Sequence, residues 1–165
     1  MALFELHGAL SRLGSKIPPP TYGTEITDAI HSLNNQEFAP ELRGEDRNLL
    51  LQALNSGKEA FAQLHDTYRS IHGSPRGMNT LVVAGEPRFI DFETVELGPL
   101  EWDLAHLEPE ARDHYPIPFD ARAVAVCRLM VSATTSTWCW AGPKRGPDMR
   151  SHAEHHPAIV RSALD

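Results

Sequence analysis

Residues 71–83 read IHGSPRGMNTLVV, with His72, Ser74, Arg76 and Asn79 inside eight positions before the chain turns apolar at Thr80. Thr80 to Val83 and Arg88 to Phe92 are short runs rich in β-branched and aromatic residues. They flank Ala84, Gly85, Glu86 and Pro87, the composition of a hairpin. The polar cluster therefore occupies the loop that enters the hairpin, and Ile90-Asp91-Phe92-Glu93 its exit. A tight hairpin sets its two ends side by side, so Asn79 and Asp91 are expected to be neighbours.

Outward from this hairpin the period is helical. Leu3, Leu6, Leu10 and Leu13 recur at helical spacing and predict a short amphipathic helix closed by Gly14 and Ser15. Pro18, Pro19 and Pro20 form a stiff connector. Thr24 to Leu33 and Gly44 to His65 read as two further helices, the second with Leu49, Leu50, Leu54, Phe61 and Leu64 on its apolar face. Beyond the hairpin, Pro99 to Leu107 looks like a helix start, and Phe119 to Trp140 a long apolar helix. Gly142 to Pro147 reads as a loop before a last helix near Ser151, where Ser151 and Glu154 have capping-box spacing. The expected fold class is α+β, mostly helical, with one short β-hairpin carrying the site loops and helix exceeding strand several-fold.

Composition narrows the function classes. The chain has 165 residues, 41% hydrophobic and 22% charged, which suits a single domain spanning 1–165 with a real core. Its net charge is −7 and its basic residues are scattered, so a nucleic-acid partner is not expected. Apolar stretches fall short of the roughly 20 residues needed to cross a bilayer, and no basic region precedes an apolar run at the N-terminus; a soluble, cytoplasmic protein without a membrane partner is expected. Cys127 and Cys139 form no C-x-x-C pair and read as buried thiols. His152, His155 and His156 share a helix face but lack a carboxylate or Cys at matching spacing, which makes them solvated surface.

The interval from His72 to Asn79 equals that of the kinase catalytic loop, H-R-D-x-x-x-x-N, in which the Asp takes a hydroxyl proton and the Asn holds magnesium. Asp91, after the second strand, stands where a kinase places its main magnesium ligand. Amide and carboxylate oxygens are hard ligands for a hard cation, and phosphoryl transfer depends mostly on positioning and charge neutralisation.

Taken in order, HGSPRGMNTLVV, PRFIDFETVELGP and EWDLAHL resemble the aminoglycoside phosphotransferase family, the small-molecule branch of the kinase-like fold. The loop of that family reads H-G-D-x-H-x-x-N, followed by I-D-F/W-E and then W-D-L-A. The resemblance covers residues 71–107, with less specific support from the L-H-x-x-L opening at Leu6-His7. It implies a protein-kinase-like C-lobe and ATP-dependent phosphorylation of a hydroxyl on a small polar molecule, with Mg2+ and ATP as cofactors. It further implies that Asn79 and Asp91 bind the metal and through it the nucleotide, that His72 is a structural loop residue, that Asp103 anchors the catalytic loop from beneath, and that Trp102 is core.

Two departures qualify that resemblance. Ser74 occupies the position of the family's catalytic Asp, and Arg76 that of its second His. A serine hydroxyl cannot accept a proton at neutral pH as a carboxylate can. No Gly-rich phosphate loop or strand-borne Lys precedes Pro18, so a C-lobe without an N-lobe is expected. Three readings compete: an impaired small-molecule phosphotransferase, a pseudokinase-like binding module lacking the base, and a non-functional remnant. A solitary lobe should expose an apolar patch near the hairpin, and a homodimer or partner chain covering it is expected. The acidic stretch Glu108 to Asp113 would suit a cationic substrate if it lined the cleft.

Overall fold

The computed structural model describes residues 2–62, 68–141 and 147–164, without the side chains of 147, 148, 150 and 152. Among the described residues, seven α-helices and four strands run in the order α1 (Ala2–Ser11), α2 (Tyr22–Asn34), α3 (Gly44–Ala62), β1 (Arg69–Ile71), β2 (Thr80–Val83), β3 (Glu86–Phe89), β4 (Glu96–Gly98), α4 (Leu100–Leu104), α5 (Pro109–Asp113), α6 (Ala121–Ala141) and α7 (Pro147–Leu164). The chain divides into two compact units, one of Met1–Thr21 with His65–Ala125 and one of Tyr22–Leu64 with Val126–Asp165. No described helix is long and apolar enough to cross a membrane.

In the first unit, Leu3 and Leu10 of α1 are buried, as the leucine period requires, while Leu13 lies beyond the helix and is exposed. Leu3 packs with Leu100, Leu104 and Val124, and Leu6, Phe89, Leu107, Tyr115 and Phe119 close around them. Each such aliphatic side chain contributes about 1.5–3 kcal/mol by leaving water. β2 and β3 form the expected hairpin, with Thr80 opposite Phe89 and Val83 opposite Glu86.

The hairpin turn is tighter than the four residues expected. Only Ala84 and Gly85 connect the strands, with φ of 53° and 84°, the doubly left-handed geometry that matches strand twist. Glu86 and Pro87 therefore lie inside β3, where the missing Pro87 N–H is tolerated because both strands of a two-stranded ribbon are edges. β3 ends at Phe89 instead of running to Phe92, because Asp91 turns left-handed at φ 66°.

A second ribbon was not expected. β1 pairs antiparallel with β4, Ser70 opposite Leu97; three-residue strands carry too little alternation to register as a period. The Leu97 N–H also donates to the Pro18 carbonyl at 2.8 Å, so the proline connector lies beside β4. Buried Glu96 accepts from the Thr21 N–H and, at 2.6 Å, from its hydroxyl.

The second unit is helical. α2 buries Ile26, Ala29 and Leu33, and α3 buries Leu50, Ala53, Leu54 and Phe61. A Cβ on Gly57 would stand 2.5 Å from the Met130 Cγ, so glycine there permits close packing of α3 and α6. Buried Asp46 accepts from Arg43 at 2.7 Å and pairs with Arg161 of α7 at 3.0 Å. Arg47 donates to the carbonyls of Leu33, Phe38 and Ala39, satisfying the end of α2 and the connector beyond it.

Several expectations are corrected here. α7 begins at Pro147, so Ser151 lies inside the helix and caps nothing; proline suits the first helical turn, and that signal prevails over the serine. Cys127 is buried, but Cys139 is only half-buried near the end of α6. His155 is exposed and His156 half-buried, while the His152 side chain, the end of the third helix at His65 and most of the 142–147 loop lie outside the described residues. The short α5 had no apolar period to announce it.

Candidate functional site

The loop that enters the hairpin is held from three sides. The His72 imidazole is buried; its Nε2 lies 3.1 Å from the Ile90 carbonyl and its Nδ1 accepts the Ser74 N–H at 3.3 Å. These partners assign the proton to Nε2. The ring also lies 5.2 Å from the Phe92 ring and 5.8 Å from that of Phe89, fastening the entry of the hairpin to its exit. Thr94 donates its hydroxyl to the His72 carbonyl at 2.8 Å.

Gly73 adopts φ +85°, and a Cβ there would lie 2.2 Å from the Thr94 carbonyl oxygen. Both the backbone conformation and the close approach demand glycine. Its carbonyl accepts from the Trp102 indole at 3.0 Å, so Trp102 is core and also a clamp.

Asp103, fully buried at the end of α4, carries the arrangement. Its Oδ1 accepts the Gly73 N–H at 2.8 Å, and its Oδ2 accepts the His72 N–H at 2.8 Å and the His7 Nε2 at 2.8 Å. The sequence suggested donors in the His72 to Ser74 loop; the donors are His72 and Gly73, while the Ser74 N–H turns to the imidazole instead. His7 was visible only as part of a leucine-rich helix opening, because nothing local marks a contact 96 positions away.

His106, one turn on, was also missed. Burial pushes its imidazole down to about 4, against the pull of Asp103, so the ring is neutral near pH 7. Its buried Nε2 has no hydrogen-bond partner among the described residues.

On the exposed side, the Ser74 hydroxyl accepts from Arg76 Nε at 2.7 Å, and Ser74 itself is buried. The Asn79 amide nitrogen donates to the Ser74 carbonyl at 2.9 Å, which orients the side-chain amide. Ile90 N–H donates to the Asn79 carbonyl at 2.9 Å, extending the hairpin by one rung and setting Asp91 next to it. Asp91 is exposed and its carboxylate caps no helix. The chain thus brings together His72, Ser74, Arg76 and Asn79 on one loop, Asp91 on the facing turn and Asp103 behind. An amide oxygen and a carboxylate at the ends of paired strands fit a hard divalent cation.

No protein-family model and no curated protein matches the sequence. Solved structures do match by fold. Choline kinase LicA from Streptococcus pneumoniae superposes with a TM-score of 0.69 at 16% identity, over 97% of this chain and 63% of that one. A choline/ethanolamine kinase family protein from Mesorhizobium loti gives 0.67 at 16% identity, over 90% and 54%. The AMP-bound spectinomycin phosphotransferase APH(9)-Ia gives 0.68 at 12% identity, over 98% and 65%. The chain has the kinase-like fold of the aminoglycoside phosphotransferases and choline kinases. It matches the C-terminal part of those proteins and spans less than two thirds of their length.

Proposed function

We propose that this chain is the helical lobe of an ATP-dependent small-molecule phosphotransferase whose proton-accepting group has been replaced. The observation that carries the proposal is the hairpin pairing that joins Asn79 to Ile90, the residue before Asp91, with the Asn79 amide nitrogen tied to Ser74; we take its oxygen and the Asp91 carboxylate as the ligands. These two residues would hold Mg2+, which when bound neutralises triphosphate charge. Asp103 fixes the loop backbone, and His72 locks the hairpin exit to its entry. Choline kinase and spectinomycin phosphotransferase as fold neighbours support a hydroxyl of a small polar molecule as acceptor. AMP in two of the neighbouring structures supports a nucleotide as the second ligand, and a reaction that draws on ATP would suit the cytoplasm.

Ser74 determines how much activity is expected. Its hydroxyl stays protonated at neutral pH and already accepts from Arg76, so it cannot relieve an acceptor alcohol of its proton. Losing a general base costs roughly 10²–10⁴-fold in rate. The same pair supports a second reading, a pseudokinase-like binding module in which Arg76 occupies the space of a base. Met78, Leu81, Val82, Val83 and Phe92 are exposed around the hairpin; we read this face as one that a second copy or a partner chain covers.

Calorimetry with Mg-ATP, beside an ADP-release assay over aminoglycosides and amino alcohols, tests the proposal. Weak Mg-ATP binding that disappears in Asp91→Ala is expected, with turnover absent or very weak in the isolated chain and rising about 100-fold in Ser74→Asp when an N-lobe is supplied in cis or in trans. Binding without any gain in Ser74→Asp selects the binding module. Absence of Mg-ATP binding in the wild-type chain overturns both.

A further inference from the structure

We propose that the cleft beside α1 lined by Phe4, His7, Tyr68, Arg69, Tyr115 and Ile117 is a second ligand site for a small planar aromatic anion, and that its occupancy is transmitted to the 72–74 loop through His7 and Asp103. The cleft has a volume of about 490 Å³, within the range that holds a small molecule. One face of α1 forms its wall, with Phe4, His7, Gly8 and Ser11 at the i, i+3, i+4 and i+7 positions that share a helix face. The adjoining face of the helix carries the buried Leu3 and Leu10.

The lining defines the ligand. Phe4 and Tyr115 meet edge to face with centroids 5.9 Å apart, leaving aromatic surface of the kind that holds another ring. Arg69 is exposed at the cleft and makes no ion pair with a described residue, and no carboxylate is among the described residues that line the cleft, although Glu101 and Asp120 border Arg69 on its other side. A described lining with a cation and no acid favours an anion. Guanidinium recognises a carboxylate in a planar, two-point manner.

The connection to the loop is a continuous run of hydrogen bonds. Burial raises the Tyr115 phenol to about 12, with the nearby Arg69 charge opposing, so the hydroxyl keeps its proton and donates to His7 Nδ1 at 2.7 Å. His7 then donates from Nε2 to Asp103 Oδ2, the oxygen that also receives the His72 N–H. An anion held by Arg69 competes for the Tyr115 hydroxyl proton. Drawing that donor away from His7 changes the bond His7 makes to Asp103, and so the charge felt at His72 and Gly73. The site is separate from Asn79 and Asp91, and its test needs no nucleotide.

Titration of the 15N-labelled chain with benzoate, followed by amide and indole resonances, decides the matter, with benzyl alcohol as the uncharged control. Benzoate is expected to shift Arg69, Ser70 and Leu97, and with them the Gly73 amide and the Trp102 indole. Benzyl alcohol should bind about tenfold more weakly or worse, and Arg69→Gln should weaken benzoate by a similar factor. Tyr115→Phe keeps the ring and removes the hydroxyl; it should still bind benzoate while the Gly73 and Trp102 responses vanish. No benzoate shift at Arg69 and Ser70, or equal binding in Arg69→Gln, overturns the site. Persistence of the Gly73 response in Tyr115→Phe overturns the relay.

Discussion

Asp103 and His7, 96 positions apart in sequence, meet at 2.8 Å where one carboxylate oxygen receives the imidazole Nε2 and the backbone N–H of His72 together. A fully buried carboxylate survives only with its lone pairs occupied, and the Gly73 N–H occupies the other oxygen. The loop in turn has irregular backbone whose buried N–H groups need acceptors that no neighbouring strand supplies. Each requirement answers the other.

Asp103→Ala should therefore destabilise the chain by about 3 kcal/mol or more, because it strands two backbone donors and the His7 imidazole. Asp103→Asn, which keeps one acceptor oxygen, should fall between it and wild type. Urea unfolding monitored by circular dichroism measures both, and a loss under about 1 kcal/mol in Asp103→Ala would show that the loop finds other acceptors.

Gly73→Ala tests the loop from the opposite side. The left-handed φ costs about 1 kcal/mol for alanine, and the clash with the Thr94 carbonyl adds displacement of the 94–95 backbone. We expect a loss of about 2–4 kcal/mol, with the Thr94–His72 hydrogen bond broken. A variant with wild-type stability in urea would mean that the loop relaxes without penalty.

The neutral, half-buried His106, with its Nε2 out of reach of water, predicts acid sensitivity. Its folded-state value near 4 lies below the ordinary 6.5, so the unfolded chain binds the extra proton first. The stability this group supports is present above about pH 6.5 and is lost as pH falls towards 4, by about 2–3 kcal/mol in all. Unfolding free energies across that window should show a shallower fall in His106→Gln than in wild type. Parallel curves for the two proteins would place the acid sensitivity elsewhere.

Met78 and Val82 are 77% and 75% exposed beside Leu81, Val83 and Phe92, on a hairpin with open edges. Such a face should associate. Light scattering is expected to show a mass that rises with concentration, and Val82→Lys should return it towards the monomer while changing stability by only about 0.5 kcal/mol. A concentration-independent monomer would count against a second copy on this face.

The legible parts of the sequence were those encoded locally. Asn79 and Asp91 stood out because polar types at a fixed interval flank a hairpin, Asp103 only because the EWDLAHL block resembles that of a known family, and α1 to α3 because apolar residues recur at helical spacing. The β1–β4 ribbon escaped notice because its strands are three residues long and their pairing depends on partners 25–29 positions away. His7 and His106 escaped because histidine has no characteristic neighbours; what defines each is a buried partner supplied by the fold. At α7 two local signals competed, and the proline at 147 opened the helix before the serine could.

The central claim, that Asn79 and Asp91 form a cation site in a kinase-like lobe, is tested most directly by replacing Mg2+ with Mn2+ in the presence of ATP and recording paramagnetic broadening of backbone amides. Broadening centred on Asn79, Thr80, Ile90 and Phe92 that is lost in Asp91→Ala, with the remaining spectrum intact, is the predicted result. Broadening centred on the acidic segment 108–113, or unchanged in Asp91→Ala, would contradict it.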